Sequence, residues 1–434
     1  MSATWRTVAL PGGLPLLLQE RGGPDLLAAR LWIRGGSSAD GPGQRGLHQL
    51  LAGVMTRGCG SLDAEALADL VEGRGASLRA EAGEDALVVS LKCAAEHSSE
   101  LLPLLIAMAR EPHLATEQVD LERELNLQML QRQREDPFQL AHDQLRQLLY
   151  GEGPYGHDPL GVEGELARIT TDQLRGAASQ LGRSGAVLVL CGAVELESWQ
   201  PLSALLEAAP WPVPPLGQSA GPAANGPQGC ALLEQDTEQL VLMLGVGTVP
   251  LGHPDALGLR LLQAHLGLGM SSRLFQVMRE QHALAYDVGV HLPARCGATP
   301  LVWHLSSSAE NAAQACRALL EEWQRVLEQP LRPEELELAR AKFLGQDAMG
   351  RQTCGQIADR QALVLGHGLP HTFVGDCLQR AGELTAADLL AVAQRRLQQP
   401  SLSLCGPASA VEEAQAIWLQ HPLSRQSPVA FRSP

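Results

Sequence analysis

Lysine is nearly absent from this chain: Lys92 and Lys342 are the only two, against 48 acidic residues and a formal charge of -15. With Arg supplying nearly all the cations, it is this net acidity that argues against nucleic acid or anionic lipid as a partner. Long apolar runs are also missing. No stretch approaches the ~18 residues of a membrane span, and the run from Leu14 to Leu18 is too short to be the core of a secretory signal. The nine cysteines are an odd number, widely scattered, with no C-x-x-C pair. That pattern reads as reduced, mostly buried thiols, without a disulfide framework or a cysteine metal cluster. A G-x-S-x-G elbow and a phosphate-binding loop are absent as well. These absences leave a soluble, cytoplasmic protein as the expectation, with no nucleic-acid or membrane partner.

At 434 residues with 45% apolar content, the chain is long enough for two cores of roughly 200 residues each. The Pro/Gly-rich stretch 210–229 suits neither helix nor sheet. It predicts a boundary between an N-terminal domain, 1–209, and a C-terminal domain, 230–434. The halves look alike. Ile169-Thr170-Thr171-Asp172-Gln173-Leu174 leading to Leu188–Gly192 recurs as Leu384-Thr385-Ala386-Ala387-Asp388-Leu389 leading to Leu402–Gly406. Each copy reads as a capped helix followed by a short strand. A second correspondence pairs the helix openings at Leu114–Val119 and Leu331–Leu336, with Arg123 and Arg340 in register beyond them. A duplicated domain accounts for both.

In the first half, strands are expected over Leu14–Gln19 and Leu26–Ile33, a helix over Gly46–Thr56, and a hairpin of Ala76–Ala82 with Ala86–Lys92. Helices follow over Ala95–Arg110 and Thr116–Arg134. Hairpin-joined strands with helices in separate runs predict an α+β fold, mainly antiparallel, in two homologous domains.

The segment Gly46-Leu47-His48-Gln49-Leu50-Leu51-Ala52 carries the chemistry, or what is left of it. Against the inverted zinc motif H-x-x-E-H, His48 keeps the first ligand, but the base position is Leu51 and the second ligand position is Ala52. Residues i and i+4 share a helix face, so two histidines at that spacing can grip one ion. Here the grip is lost, and Leu51 cannot accept a proton from water. Gly41-Pro42-Gly43-Gln44-Arg45-Gly46 matches G-x-G-x-x-G by letter, yet its glycines come several residues after the strand and Pro42 removes an amide donor, so a dinucleotide role is not expected. His157, His367 and His371 are expected at the surface.

Together with Asp136-Pro137, Tyr155–Gly161, Leu266–Phe275 and Arg279 through Leu284-Ala285-Tyr286, this motif resembles the insulinase/pitrilysin family of zinc peptidases, in the short two-domain form related to mitochondrial processing peptidase. The resemblance spans essentially the whole chain. It implies two facing domains around a polar cavity. It also implies that a third zinc ligand would lie on the long helix seven residues after a supporting glutamate, which places Glu124 in the supporting position and Gln131 in the ligand position. In the second half it implies that Arg279 and Tyr286 hold the substrate backbone, and that a loop at Gly267 and Gly269 contacts or gates substrate; the plainer reading of those glycines is helix termination and close packing. The expected protein is a non-catalytic subunit without a cofactor of its own. It would position peptide for a partner chain that bears an intact H-x-x-E-H motif and the zinc. A structural or peptide-binding protein derived from such a peptidase, and a weakly active zinc metalloendopeptidase, are the alternatives.

Overall fold

The computed structural model describes residues 5–218, 221–426 and 430–432, apart from the side chains of residues 196, 425, 426 and 430–432. The chain forms two compact units. Unit 1 comprises residues 1–130, 158–219 and 348–374; unit 2 comprises 131–157, 220–347 and 375–434.

Unit 1 is built on a six-stranded sheet of order β1-β2-β6-β3-β5-β4. Its strands are β1 Trp5–Ala9, β2 Pro15–Glu20, β3 Leu26–Arg34, β4 Ser77–Ala82, β5 Ala86–Ala94 and β6 Ala186–Gly192. All neighbours are antiparallel except β2 and β6. The hairpin of β4 and β5 forms as expected, Ala82 opposite Leu87. On β3, Leu27, Ala29, Leu31 and Ile33 enter the main core, while Ala28 and Trp32 enter a second cluster on the opposite face. Alternating side chains point to opposite faces, so a strand covered on both sides reads as nearly continuous apolar sequence.

Unit 2 repeats the plan with β7 Cys230–Glu234, β8 Gln239–Gly247, β9 Asp287–His291, β10 Pro300–Ser308, β11 Ser401–Gly406 and β12 Ala430–Arg432. Its order is β12-β7-β11-β8-β10-β9, so β7 to β11 reproduce the arrangement of β2 to β6, including a parallel pair, β7 with β11; β12 adds a second parallel pairing with β7, where β1 meets β2 antiparallel. The protein is therefore α+β with two sheets, mixed but mainly antiparallel.

The helices that bear on the site are α1 Leu47–Met55, α2 Thr116–Gln133, α3 Pro137–Tyr150, α4 Thr171–Gln180, α5 Ala256–Gly267, α6 Pro333–Met349, α7 Cys354–Gly366 and α8 Ala386–Arg396. The duplication shows at atomic detail. Thr170 and Gln173 form a capping box at α4, and Thr385 and Asp388 form its counterpart at α8. In unit 1, Arg123 on α2 donates to the Ile169 carbonyl at 2.8 Å; in unit 2, Arg340 on α6 donates to the Leu384 carbonyl at 2.7 Å. Equivalent arginines satisfy equivalent carbonyls just ahead of equivalent helix caps.

The sheets fall on either side of the 210–229 stretch, but two helices do not follow that division. Helix α7 belongs to unit 1, where Ala358 and Ala362 pack on Ala28, Trp32, Val187 and Cys191. Helix α3 belongs to unit 2, with Ala141, Leu145, Leu148 and Leu149 against Ala231, Val241, Met243 and Val302. Nor is 210–229 a bare tether: Trp211 is buried in the core of unit 1 and donates to the Leu181 carbonyl, while Pro222 accepts from the Ala298 amide in unit 2. Two histidines expected at the surface are buried, His157 and His367. A buried neutral imidazole needs a partner for its N–H, and His367 finds one through Nδ1 to the Leu363 carbonyl at 2.7 Å. His371 is exposed as expected.

Candidate functional site

Helix α1 owes its position to its apolar spacing. Leu47, Leu50, Leu51, Val54 and Met55 are all buried, and their i, i+3, i+4, i+7, i+8 pattern presents one continuous stripe to the core. Gly46 precedes the helix in the left-handed region, φ 106°, a conformation cheap only for glycine. The Gly46 amide donates to Asp40 Oδ2 at 2.9 Å and the His48 amide to Asp40 Oδ1 at 3.2 Å. Asp40 thus caps α1 from outside the helix, and its negative charge at the N-terminus is favourable to the helix dipole.

Asp40 also takes the side chain of His48. Nδ1 of His48 lies 2.6 Å from Asp40 Oδ1, and the Asp40 side chain is fully buried. The carboxylate fixes which ring nitrogen carries the proton, as such partners do behind metal-bound histidines. His48 lines a cavity of about 400 Å³ shared with Arg34, Gln44, Gln173, Gln180 and Ser184, all in unit 1.

The other two motif positions are closed to chemistry. Leu51 and Ala52 are both 0% exposed and lie in the main apolar core. At α1 the donor set is therefore one imidazole, with hydrocarbon where a base and a second ligand would stand. Peptidase zinc needs three protein ligands and an open position, and the residues present do not fit it.

The expectation for the long helix needs correction. Glu124 is exposed and its carboxylate only accepts from Gln128 at 3.4 Å; Gln131 is exposed as well. The buried face of α2 instead carries Val119, Glu122, Asn126 and Leu130. Glu122 pairs with Arg57, whose Nε lies 2.7 Å from Oε1. Its Oε2 sits so close to α1 that a Cβ on Gly53 would approach to 2.7 Å. Glu122, two residues before the expected one, is thus the carboxylate against the motif helix. The position seven residues beyond it is Met129, 49% exposed. The signal lay in the phase of the helix, because Val119 and Leu130 place residues 122 and 126 on their own face. Asp40 and Arg57 had no such signal.

In unit 2, Arg279 stands at the end of a π-helical stretch, Phe275–Gln281, and Tyr286 immediately precedes β9. The structure brings them together: Arg279 NH1 is 3.4 Å from the Tyr286 carbonyl oxygen, and its guanidinium lies 5.1 Å from the Phe275 ring centre. Tyr286 is 67% exposed, large for an aromatic side chain. The Gly267 position has a packing reason: a Cβ there would meet the Val290 backbone nitrogen at 2.8 Å, so glycine lets α5 end against β9. Gly269 has φ +75° with open space around it.

Fold and site together define a two-unit peptidase-like chain whose motif helix survives without its metal chemistry. Sequence comparison agrees. Residues 18–161 match the profile of insulinase (peptidase family M16), and residues 168–343 match that of the peptidase M16 inactive domain. The chain belongs to the insulinase family, as a degenerate member. It is 25% identical over 425 residues to an uncharacterized zinc protease of Streptomyces coelicolor, covering 93% of this chain and 90% of the relative. It is 22% identical over 382 residues to a non-peptidase homolog of Helicobacter pylori, covering 87% of each. Its fold is shared with a peptidase M16 inactive domain structure from Pseudomonas fluorescens, with TM-score 0.85, 23% identity and coverage of 93% and 98%. A protease structure from Helicobacter pylori gives TM-score 0.80 at 18% identity, covering 93% of this chain and all of that one. No helix among the described residues is long and apolar enough to cross a membrane.

Proposed function

We propose that this chain is the non-catalytic, substrate-positioning member of a two-chain zinc peptidase. Its partner would be an insulinase-family chain with an intact H-x-x-E-H motif, which holds the zinc and cuts. The observation that carries this reading is the contrast between the two halves of the site. The motif helix has its base and second-ligand positions sealed in the core as Leu51 and Ala52, whereas Arg279 and Tyr286 stay paired and exposed. A guanidinium and a phenol both donate hydrogen bonds to a peptide carbonyl, and such donors stabilise the charge that develops there when a peptide bond is attacked. The 1–209 and 230–434 halves act as homologous domains in this reading, with His48, Leu51 and Ala52 as vestiges and Arg279, Tyr286 and Gly269 as substrate contacts.

Relatives supply both kinds of chain, since one is named a non-peptidase homolog and others zinc proteases. The test is peptide hydrolysis by this chain, by an H-x-x-E-H homologue from the same cell, and by the mixture, with zinc measured on each sample. Activity confined to the mixture, with zinc confined to the homologue, is the expected result. Arg279→Ala should lower turnover of the pair by about 10²-fold or more, the scale of one lost transition-state donor, while leaving the chains associated. Equal turnover, or zinc and hydrolysis in this chain alone, would overturn the assignment. Association with no gain in hydrolysis would move the protein to a structural role.

A further inference from the structure

We infer that the cavity beside His48 binds a free α-amino acid as its zwitterion, with the carboxylate on Arg34 and the ammonium on the His48–Asp40 pair. Every group involved belongs to unit 1, so the site goes beyond the two-chain reading and needs neither zinc nor a partner. Its volume of about 400 Å³ falls in the range of small-ligand sites. The chain has 48 acidic residues and a formal charge of -15, yet no carboxylate is among the described residues lining this cavity, and Arg34 carries the permanent charge there.

Arg34 ends β3, and its guanidinium is held in place. NH2 donates to the Gly366 carbonyl at 3.0 Å and to the Gly217 carbonyl at 2.7 Å. Its Nε–H is buried with no acceptor among the described residues. A buried donor left unpaired is costly, more so when it is charged, and a carboxylate is the acceptor that suits a guanidinium best. The Arg34 amide donates to the Gly185 carbonyl at 3.0 Å, which brings Ser184 alongside.

His48 supplies the opposite pole. Its Nδ1 lies 2.6 Å from Oδ1 of the fully buried Asp40. An ionised carboxylate only accepts, so Nδ1 carries the proton, and Nε2 of the neutral ring keeps a lone pair. Imidazole and carboxylate together then form an anionic acceptor, which suits an ammonium group. Nε2 comes within 3.7 Å of the place a Cβ on Gly35 would occupy, so the imidazole borders the residue next to Arg34 and both poles open on one cavity. Gln173 has its Oε1 taken by the Thr170 amide at 2.8 Å, which leaves its NH2 group for the ligand. Leu47, Ala177 and Leu181 supply an apolar wall, so the amino acid should carry an aliphatic side chain.

The full chain should be titrated calorimetrically with L-leucine, L-methionine, N-acetyl-L-leucine and L-leucinamide. The expected result is one site per chain for the free amino acids. Each blocked analogue should bind more weakly by about 10- to 100-fold, the scale of one lost charge-assisted hydrogen bond. Gly176 lines the cavity, and a Cβ there meets nothing within 4 Å, so Gly176→Leu occupies the space without a clash. Ser184 is exposed, and Ser184→Asp sets a repelling charge beside the ligand carboxylate. Both variants should keep the native melting temperature and lose binding. Absence of any free amino acid binding with a Kd below about 1 mM, equal affinity for a blocked analogue, or binding unaltered in both folded variants would each overturn the site.

Discussion

Leu51→Glu returns the side chain that zinc peptidases use as their base, and the structure predicts that it damages the fold instead of reviving chemistry. Leu51 is 0% exposed in the main core of unit 1. Removing its hydrocarbon forfeits about 1.5–3 kcal/mol of burial. The introduced carboxyl would be surrounded by apolar groups and would resist ionisation, its pKa raised by about 2–3 units at about 1.4 kcal/mol each when the solution is neutral. Together these give a loss of about 4–7 kcal/mol at pH 7, comparable to the whole stability of a domain. The sign of the pH effect separates the two contributions. A carboxyl whose folded pKa is raised costs nothing below its unfolded pKa and the most above its folded one. The variant should therefore recover about half its deficit on acidification toward pH 4.5, keeping only the packing loss. Urea unfolding at pH 7 and pH 4.5, with Leu51→Met as a volume-conserving control expected to cost under about 1.5 kcal/mol, measures this directly. If Leu51→Glu costs under about 1 kcal/mol at pH 7, or if Leu51→Glu with Ala52→His binds one zinc per chain, the sealed-core argument fails.

Asp40→Ala removes the α1 cap and the His48 partner together, and should cost about 2–4 kcal/mol in urea unfolding at neutral pH; Asp40→Asn should recover part of that. In unit 2, burial, followed by Arg146, His291, Arg295 and His304, pushes His142 down to about 3. Burial likewise pulls His265 to about 4. The unfolded chain then binds more protons than the folded one below pH 6.5, so stability should decline as pH falls from 6.5 toward 3, and His142→Gln should flatten that slope. A lower window belongs to Glu335. Burial would raise its pKa, but the Arg332 amide and guanidinium outweigh that and bring it down to about 2. Its contribution is present above pH 4.5 and lost between 4.5 and 2, and Glu335→Gln should remove this acid-sensitive part from thermal melts taken across that range.

The sequence by itself determined what is local. The loss of the base and second ligand is written in Leu51 and Ala52, the strands and the hairpin of unit 1 follow from period-two alternation, and the capped helix openings at Thr170 and Thr385 involve groups three residues apart. The duplication was legible for the same reason, since it repeats those local signals at one spacing. Tertiary structure decided everything that depends on partners distant in sequence. The identity of the buried carboxylate on α2 turned on which helical face meets α1: it is Glu122, while Glu124, two residues on, is exposed. The hold of Asp40 on His48, the burial of His157 and His367, and the assignment of α3 and α7 to the opposite halves rest on contacts with no spacing rule. A helix's periodicity states that it has a buried face, but only the surface it packs on states whose face that is.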